Sequence, residues 1–168
     1  MSDQQGSHSA VDASAHHARQ RHALRRTALG AIVLLVIEAG LGMAVNLYVV
    51  VPTRHSGAHP SNYFSGSVKS VGWAISHGAI VLAIHATFGL LLGLFVIEVV
   101  VRAARGAHRP VTVWAIVAGL LVIGAGFNGA SFLDFNEAIN SLLMALLTLA
   151  AIACYSVMMY LSTTTELP

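Results

Sequence analysis

Residues 71–101 read VGWAISHGAIVLAIHATFGLLLGLFVIEVVV and end against Arg102. This stretch decides the fold. It holds one carboxylate, Glu98, two histidines, His77 and His85, and no lysine or arginine. An apolar run beyond about 18 residues is the mark of a membrane-spanning helix, and this one is long enough to project about two turns beyond a bilayer. Transmembrane strands would show segments of about 10 residues with alternating apolar and polar positions, and no such alternation is present. Working outward, three more runs of the same kind appear. The first covers about Thr27–Val51 and stops at Pro52, and the third covers about 111–128 after Arg109-Pro110. The fourth covers about Glu137–Leu161. Proline is tolerated in a first helical turn, so Pro110 fits the start of the third. The expected fold is an all-α integral membrane four-helix bundle. Its topology is up-down, because short connections join antiparallel neighbours.

Composition agrees. The chain has 168 residues, 56% apolar and 10% charged, against about 25% charged in ordinary soluble domains. That is too little charge to cover a water-soluble surface, and the length fits one membrane domain at 27–161 with no separate soluble one. A formal charge of +2 gives no reason to expect a nucleic-acid partner. The lipid bilayer is the partner implied, with a larger membrane complex or a second copy of the chain as protein partners. Eight arginines against one lysine, with abundant Ala, Val and Gly, fit a GC-rich bacterial genome and hence a plasma-membrane location. Cys154 is the single cysteine, so no intramolecular disulfide forms. Residues 1–26 are polar and rich in Ser, Ala and His, and are expected to be a disordered cytoplasmic arm; 162–168 are expected to be a cytoplasmic tail. A secretory signal is disfavoured, because the run that follows far exceeds an h-region of 7–15 residues.

Basic residues near the span ends set orientation. Arg19, Arg21, Arg25, Arg26, Arg102, Arg105 and Arg109 lie on one side, Arg54 and Lys69 on the other. The positive-inside rule then places both termini in the cytoplasm. The 52–70 loop and the acidic 129–136 turn lie outside. In that turn Asp134 or Asn136 is suited to cap the fourth helix, with Glu137 in its first turn.

Polar side chains inside the spans collect in the outer half. By helix rise, Glu38 lies near the middle of the first span, Asn46 about 10 Å further out and His85 some 6 Å outside the middle of the second. Asn128 and Asn140 close the third and fourth, with His77 above them near the interface. Asn46, Asn128 and Asn140 are expected to meet as a polar cluster, and Glu38 and His85 to face the bundle interior. A carboxylate at mid-bilayer is strongly disfavoured unless it pairs, faces a cavity or is protonated, and His85 is the natural partner for Glu38. Glu98 is spaced to reach Arg102 one turn on. His77 and His85, eight residues apart on one expected helix, would sit roughly 12 Å apart along its axis, too far to share a metal. Haem b or copper would need His85 with Met43 or Met144 as the second ligand. His85-x-x-x-Gly89-x-x-x-Gly93 is a small-residue face that allows close helix approach. Gly124-Ala-Gly126-Phe-Asn128-Gly129 matches a dinucleotide fingerprint in letters only, since it follows no strand.

Three segments carry a resemblance: Asn46-Leu-Tyr-Val-Val-Val-Pro52, Leu82-Ala-Ile-His85-Ala-Thr-Phe-Gly89 and Gly126-Phe-Asn-Gly-Ala-Ser-Phe132. Together they resemble small four-span integral membrane proteins of high-GC Gram-positive bacteria, over residues 27–161. The resemblance implies topology and no activity. A weaker one, through a histidine on a glycine-lined helix, is to four-helix haem-binding membrane modules. Their iron ligands come from two helices, and here the first, third and fourth spans hold no histidine. No catalytic constellation is present. The favoured function is a non-enzymatic accessory or structural membrane protein. A redox or metal-handling module built on His85 is the alternative, and a small transporter or proton path through Glu38 is a weaker one.

Overall fold

The structure, a computed structural model, describes the backbone of residues 3–162 and the side chains of residues 19 and 22–162; residues 1, 2 and 163–168 lie outside the described residues. Among the described residues five helices follow in order: α1 Asp3–Tyr48, α2 Tyr63–His77, α3 Ile80–Gly106, α4 Arg109–Phe135 and α5 Ala138–Leu161. Among the described residues there is no strand. Among the described residues four segments are long and apolar enough to cross a membrane: His22–Tyr48, Ile80–Gly106, Arg109–Phe135 and Ala138–Leu161. This is the signature of a multi-pass membrane protein. The expectation of a disordered arm falls largely on residues whose side chains are not described; α1 is helical from Asp3 onward.

The long helices form a closed ring. α1 touches α3 and α5, and α4 touches α3 and α5, with α4 against α5 the most extensive contact. The two connections that join one long helix directly to the next are two residues long, 107–108 and 136–137, which forces antiparallel neighbours. Thr112 Oγ1 ties the first of these by donating to Ala103 O at 3.1 Å. In the second, Asn136 takes a left-handed conformation with φ 55° and its N–H bonds Phe132 O, ending α4.

The packing is inverted relative to a soluble bundle. Ala28, Ala31, Ala103, Ala115, Ala118 and Ala151 are fully buried, whereas Leu29, Leu94, Leu120 and Leu149 point outward. Small residues let helix backbones approach, and between apolar helices in lipid that close approach, not burial of bulk, drives association. Two apolar clusters result. The larger runs from Leu24 to Leu35 on α1, Leu92 to Ala103 on α3, Val111 to Val122 on α4 and Ala151 to Met158 on α5. The smaller joins Val45, Val51, Ala74, Leu82 and Leu133 at the opposite end, under α2. We call these the arginine end and the capped end.

Three sequence expectations need correction here. The run 71–101 is not one span. It breaks at Gly78-Ala79, where Gly78 is extended (φ −72°, ψ 169°) and its N–H closes α2 onto Trp73 O. A Cβ at Gly78 would overlap Ala74 O. His77 and His85 therefore lie on different helices. His85 is only five residues into α3, about 8 Å from its start, closer to the capped end than the unbroken run implied. The third span does not end at Asn128 but continues to Phe135. Residues 129–135 are thus helix, not turn, and Asp134 points inward as a fully buried side chain. Nor does Asp134 or Asn136 cap α5: Asn136 is the C-cap of α4, and Glu137, expected in the first turn, occupies the N-cap position of α5 without a side-chain cap bond.

Candidate functional site: a glutamate–histidine clasp

Between the two apolar clusters, α1 and α3 face each other through polar and small residues. His85 Nδ1 lies 2.9 Å from Glu38 Oε1, and the two side chains are 16% and 13% exposed. The clasp has a reciprocal construction. A Cβ at Gly89, one turn after His85, would lie 2.8 Å from Glu38 Oε1; one at Gly42, one turn after Glu38, would lie 3.2 Å from the His85 ring. Each helix thus offers a long polar side chain and, four residues on, a glycine that seats the partner's. Antiparallel helices make the two seats face each other. Glu38 Oε2 and His85 Nδ1 nevertheless lack a hydrogen-bond partner of good alignment. The two groups are thus in polar contact at 2.9 Å without the alignment of a hydrogen bond. The expected partnership of Glu38 with His85 is what this geometry contains.

The other expected site residues do not join it. Asn46 accepts from Ser141 Oγ at 3.3 Å, linking α1 to α5. Asn128 Nδ2 donates to Gly124 O of its own helix at 2.9 Å. Asn140 lies in the first turn of α5, its backbone N–H on Glu137 O. Among the described residues no hydrogen bond joins two of the three asparagines; the Asn46 and Asn128 side chains bond Ser141 and Gly124 instead. His77 is exposed at the end of α2 beside Ser76 Oγ, 2.7 Å away. Met43 is 59% exposed on the rim, and a Cβ at Gly129 would lie 3.2 Å from Met144 Sδ, which places that sulfur on α4. Neither methionine is placed as a second ligand to His85. Among the described residues no three His, Cys, Asp or Glu side chains gather to hold a metal ion. The expected pair Glu98–Arg102 is formed, with Arg102 Nε donating to Glu98 Oε1 at 3.0 Å.

Sequence reasoning missed a second polar knot at the capped end. Ser67 Oγ donates to Asp134 Oδ2 at 2.9 Å, and Tyr63 Oη bridges Phe127 O at 3.1 Å and Ser131 Oγ at 2.8 Å. His55 stacks on Trp73 with centroids 4.3 Å apart and its Nε2 lies 3.0 Å from Leu133 O. His59 N–H donates to Asp134 O. α2 presents Gly66, Ser67, Ser70 and Ala74 inward and Phe64, Val68 and Ile75 outward. That small-polar stripe within an otherwise apolar stretch was the available signal. Compared with known proteins, the chain matches no family model, no curated protein and no solved structure.

Proposed function

We propose that this is a non-enzymatic integral membrane protein of accessory or structural kind, a closed bundle with both termini in the cytoplasm. One observation supports it above the others. Two polar pairs meet across helices, the part-buried Glu38 with His85 and the buried Ser67 with Asp134, in the way groups do when they fix helix register. Interhelical polar contacts in membranes contribute about 0.6 kcal/mol on average, so their value lies in orientation more than in stability. The orientation rests on the arginine end carrying Arg19, Arg21, Arg25, Arg26, Arg102, Arg105 and Arg109. A reporter fused after Pro168 is expected to behave as cytoplasmic and one inserted near Ala58 as external; the reverse pattern overturns the orientation.

The alternative, a haem- or copper-binding module, draws on one detail. Glu38 sits against Nδ1 of His85, the position from which a carboxylate orients a metal-ligating imidazole. An absorption spectrum and metal analysis of detergent-purified protein separate the readings. The accessory reading expects a colourless protein without stoichiometric iron or copper. A Soret or copper band that disappears in His85→Ala and survives in His77→Ala would replace it with the alternative.

A further inference from the structure

We infer that the arginine end carries a binding site for the phosphate of an anionic phospholipid, in the groove between α1 and α3. The groove is lined by Arg19, His22, Ala23, Arg26 and Thr27 from α1 and by Arg102 from α3. On α1 these positions recur every three or four residues, so they form one face of the helix. Three guanidinium groups therefore converge from two helices on one open groove. Only one of them is neutralised: Arg102 pairs with Glu98, while among the described residues Arg19 and Arg26 have no acidic partner. Unpaired guanidinium groups gathered in this way repel one another unless an anion sits between them, and their planar fork matches phosphate oxygens.

The setting selects a lipid over a free anion, on the premise that the four long helices span a bilayer. The groove lies where two spans begin and end. One to three turns further along the same two helices, Leu29, Val33 and Leu94 are exposed and apolar. A headgroup phosphate in the groove would thus continue into acyl chains lying along an apolar track. Basic pockets between spanning helices are suited to anionic headgroups, and each Lys or Arg near a membrane surface adds to that attraction.

The test uses the full chain in neutral detergent, with phosphatidylglycerol, phosphatidylcholine and inorganic phosphate as separate probes. Lipid retention is read by native mass spectrometry and thermal midpoint by tryptophan fluorescence. Phosphatidylglycerol is expected to be retained and to raise the midpoint, and phosphatidylcholine to do neither. R19Q/R26Q/R102Q is expected to lose about tenfold or more of this retention, whereas R54Q/K69Q, which removes cations from the capped end, keeps it. Should the triple variant fail to fold, R19Q/R26Q alone leaves the Glu98–Arg102 pair untouched and is expected to show a smaller loss in the same direction. Equal retention of both lipids, or equal loss in R54Q/K69Q, overturns the site. An equal midpoint shift from inorganic phosphate assigns the groove to a free anion and overturns the lipid. Failure of the bundle to enter liposomes at all, checked by flotation, would instead remove the premise of spanning helices.

Discussion

Gly57→Ala is expected to destabilise the capped end by about 2–5 kcal/mol, a sum of backbone strain and overpacking. Gly57 has φ 102°, a conformation that L side chains rarely adopt. Space compounds the strain: a Cβ there would overlap Ser70 Oγ and lie 2.5 Å from Ser70 N and 2.6 Å from Gly66 O. Two of those three neighbours are backbone atoms of α2, which cannot swing aside. Gly66 in turn meets the Pro60 ring so closely that a Cβ would overlap it. The loop and α2 are thus pressed together through two glycines. The matched control is Gly72→Ala on the same helix, where no atom lies within 4 Å of the added Cβ. It should be neutral or stabilising by up to about 1 kcal/mol, the helix-propensity difference. Thermal midpoints in detergent, with limited proteolysis of the 52–77 segment, measure both. A Gly57→Ala protein as stable and as protease-resistant as the parent would show that the loop is not seated as described.

The second large effect belongs to the clasp. Glu38→Ala and His85→Ala each leave a polar group without its partner between helices, which costs about 1–3 kcal/mol. Breaking a fully buried, well-aligned ion pair would cost more, about 3–5 kcal/mol, but this contact lacks hydrogen-bond alignment, so the lower range applies. The double variant should lose less than the sum of the single losses, with a coupling of about 0.6–1.7 kcal/mol, the range for membrane hydrogen bonds. Glu38→Gln keeps an acceptor oxygen and should recover part of the loss. The cycle is measured by reversible unfolding in mixed micelles. Strictly additive losses would mean that the two side chains are neighbours without being partners.

How much of this was legible in the residues depends on which signal carried it. The long helices were, because hydropathy alone identifies a segment that must satisfy its own backbone hydrogen bonds in lipid. Glu38 and His85 were, because so few polar groups interrupt the spans that depth alone brought them close. Their glycine seats were half visible: the Gly89 spacing after His85 was seen as a small-residue face, but the matching Gly42 after Glu38 acquires meaning only once the helices are known to be antiparallel neighbours. The break at Gly78 was hidden by hydropathy, since Val71, Trp73, Ala74 and Ile75 read as more of the same span. What separates α2 from a spanning helix is which face its small polar residues occupy, and that is a packing property. The asparagine cluster failed for the same reason. Depth along an axis is readable from helix rise, whereas rotation about it is set by contacts, and Asn46 met Ser141 instead.

The division of the interior into two apolar clusters has a mechanical consequence. The larger cluster clamps all four long helices with alanines in direct backbone approach and Tyr155 and Met158 fully buried. The smaller holds five buried residues and relies on polar knots and a seated loop. Cooperative units in proteins often follow such boundaries, with free energies of opening that differ from one unit to the next. The arginine end is then the rigid block. The capped end is expected to be the more compliant one, loosening before the rest in hydrogen exchange, with the Glu38–His85 layer as the seam between them. The first water to reach that seam would come from the side of the membrane where α2 lies.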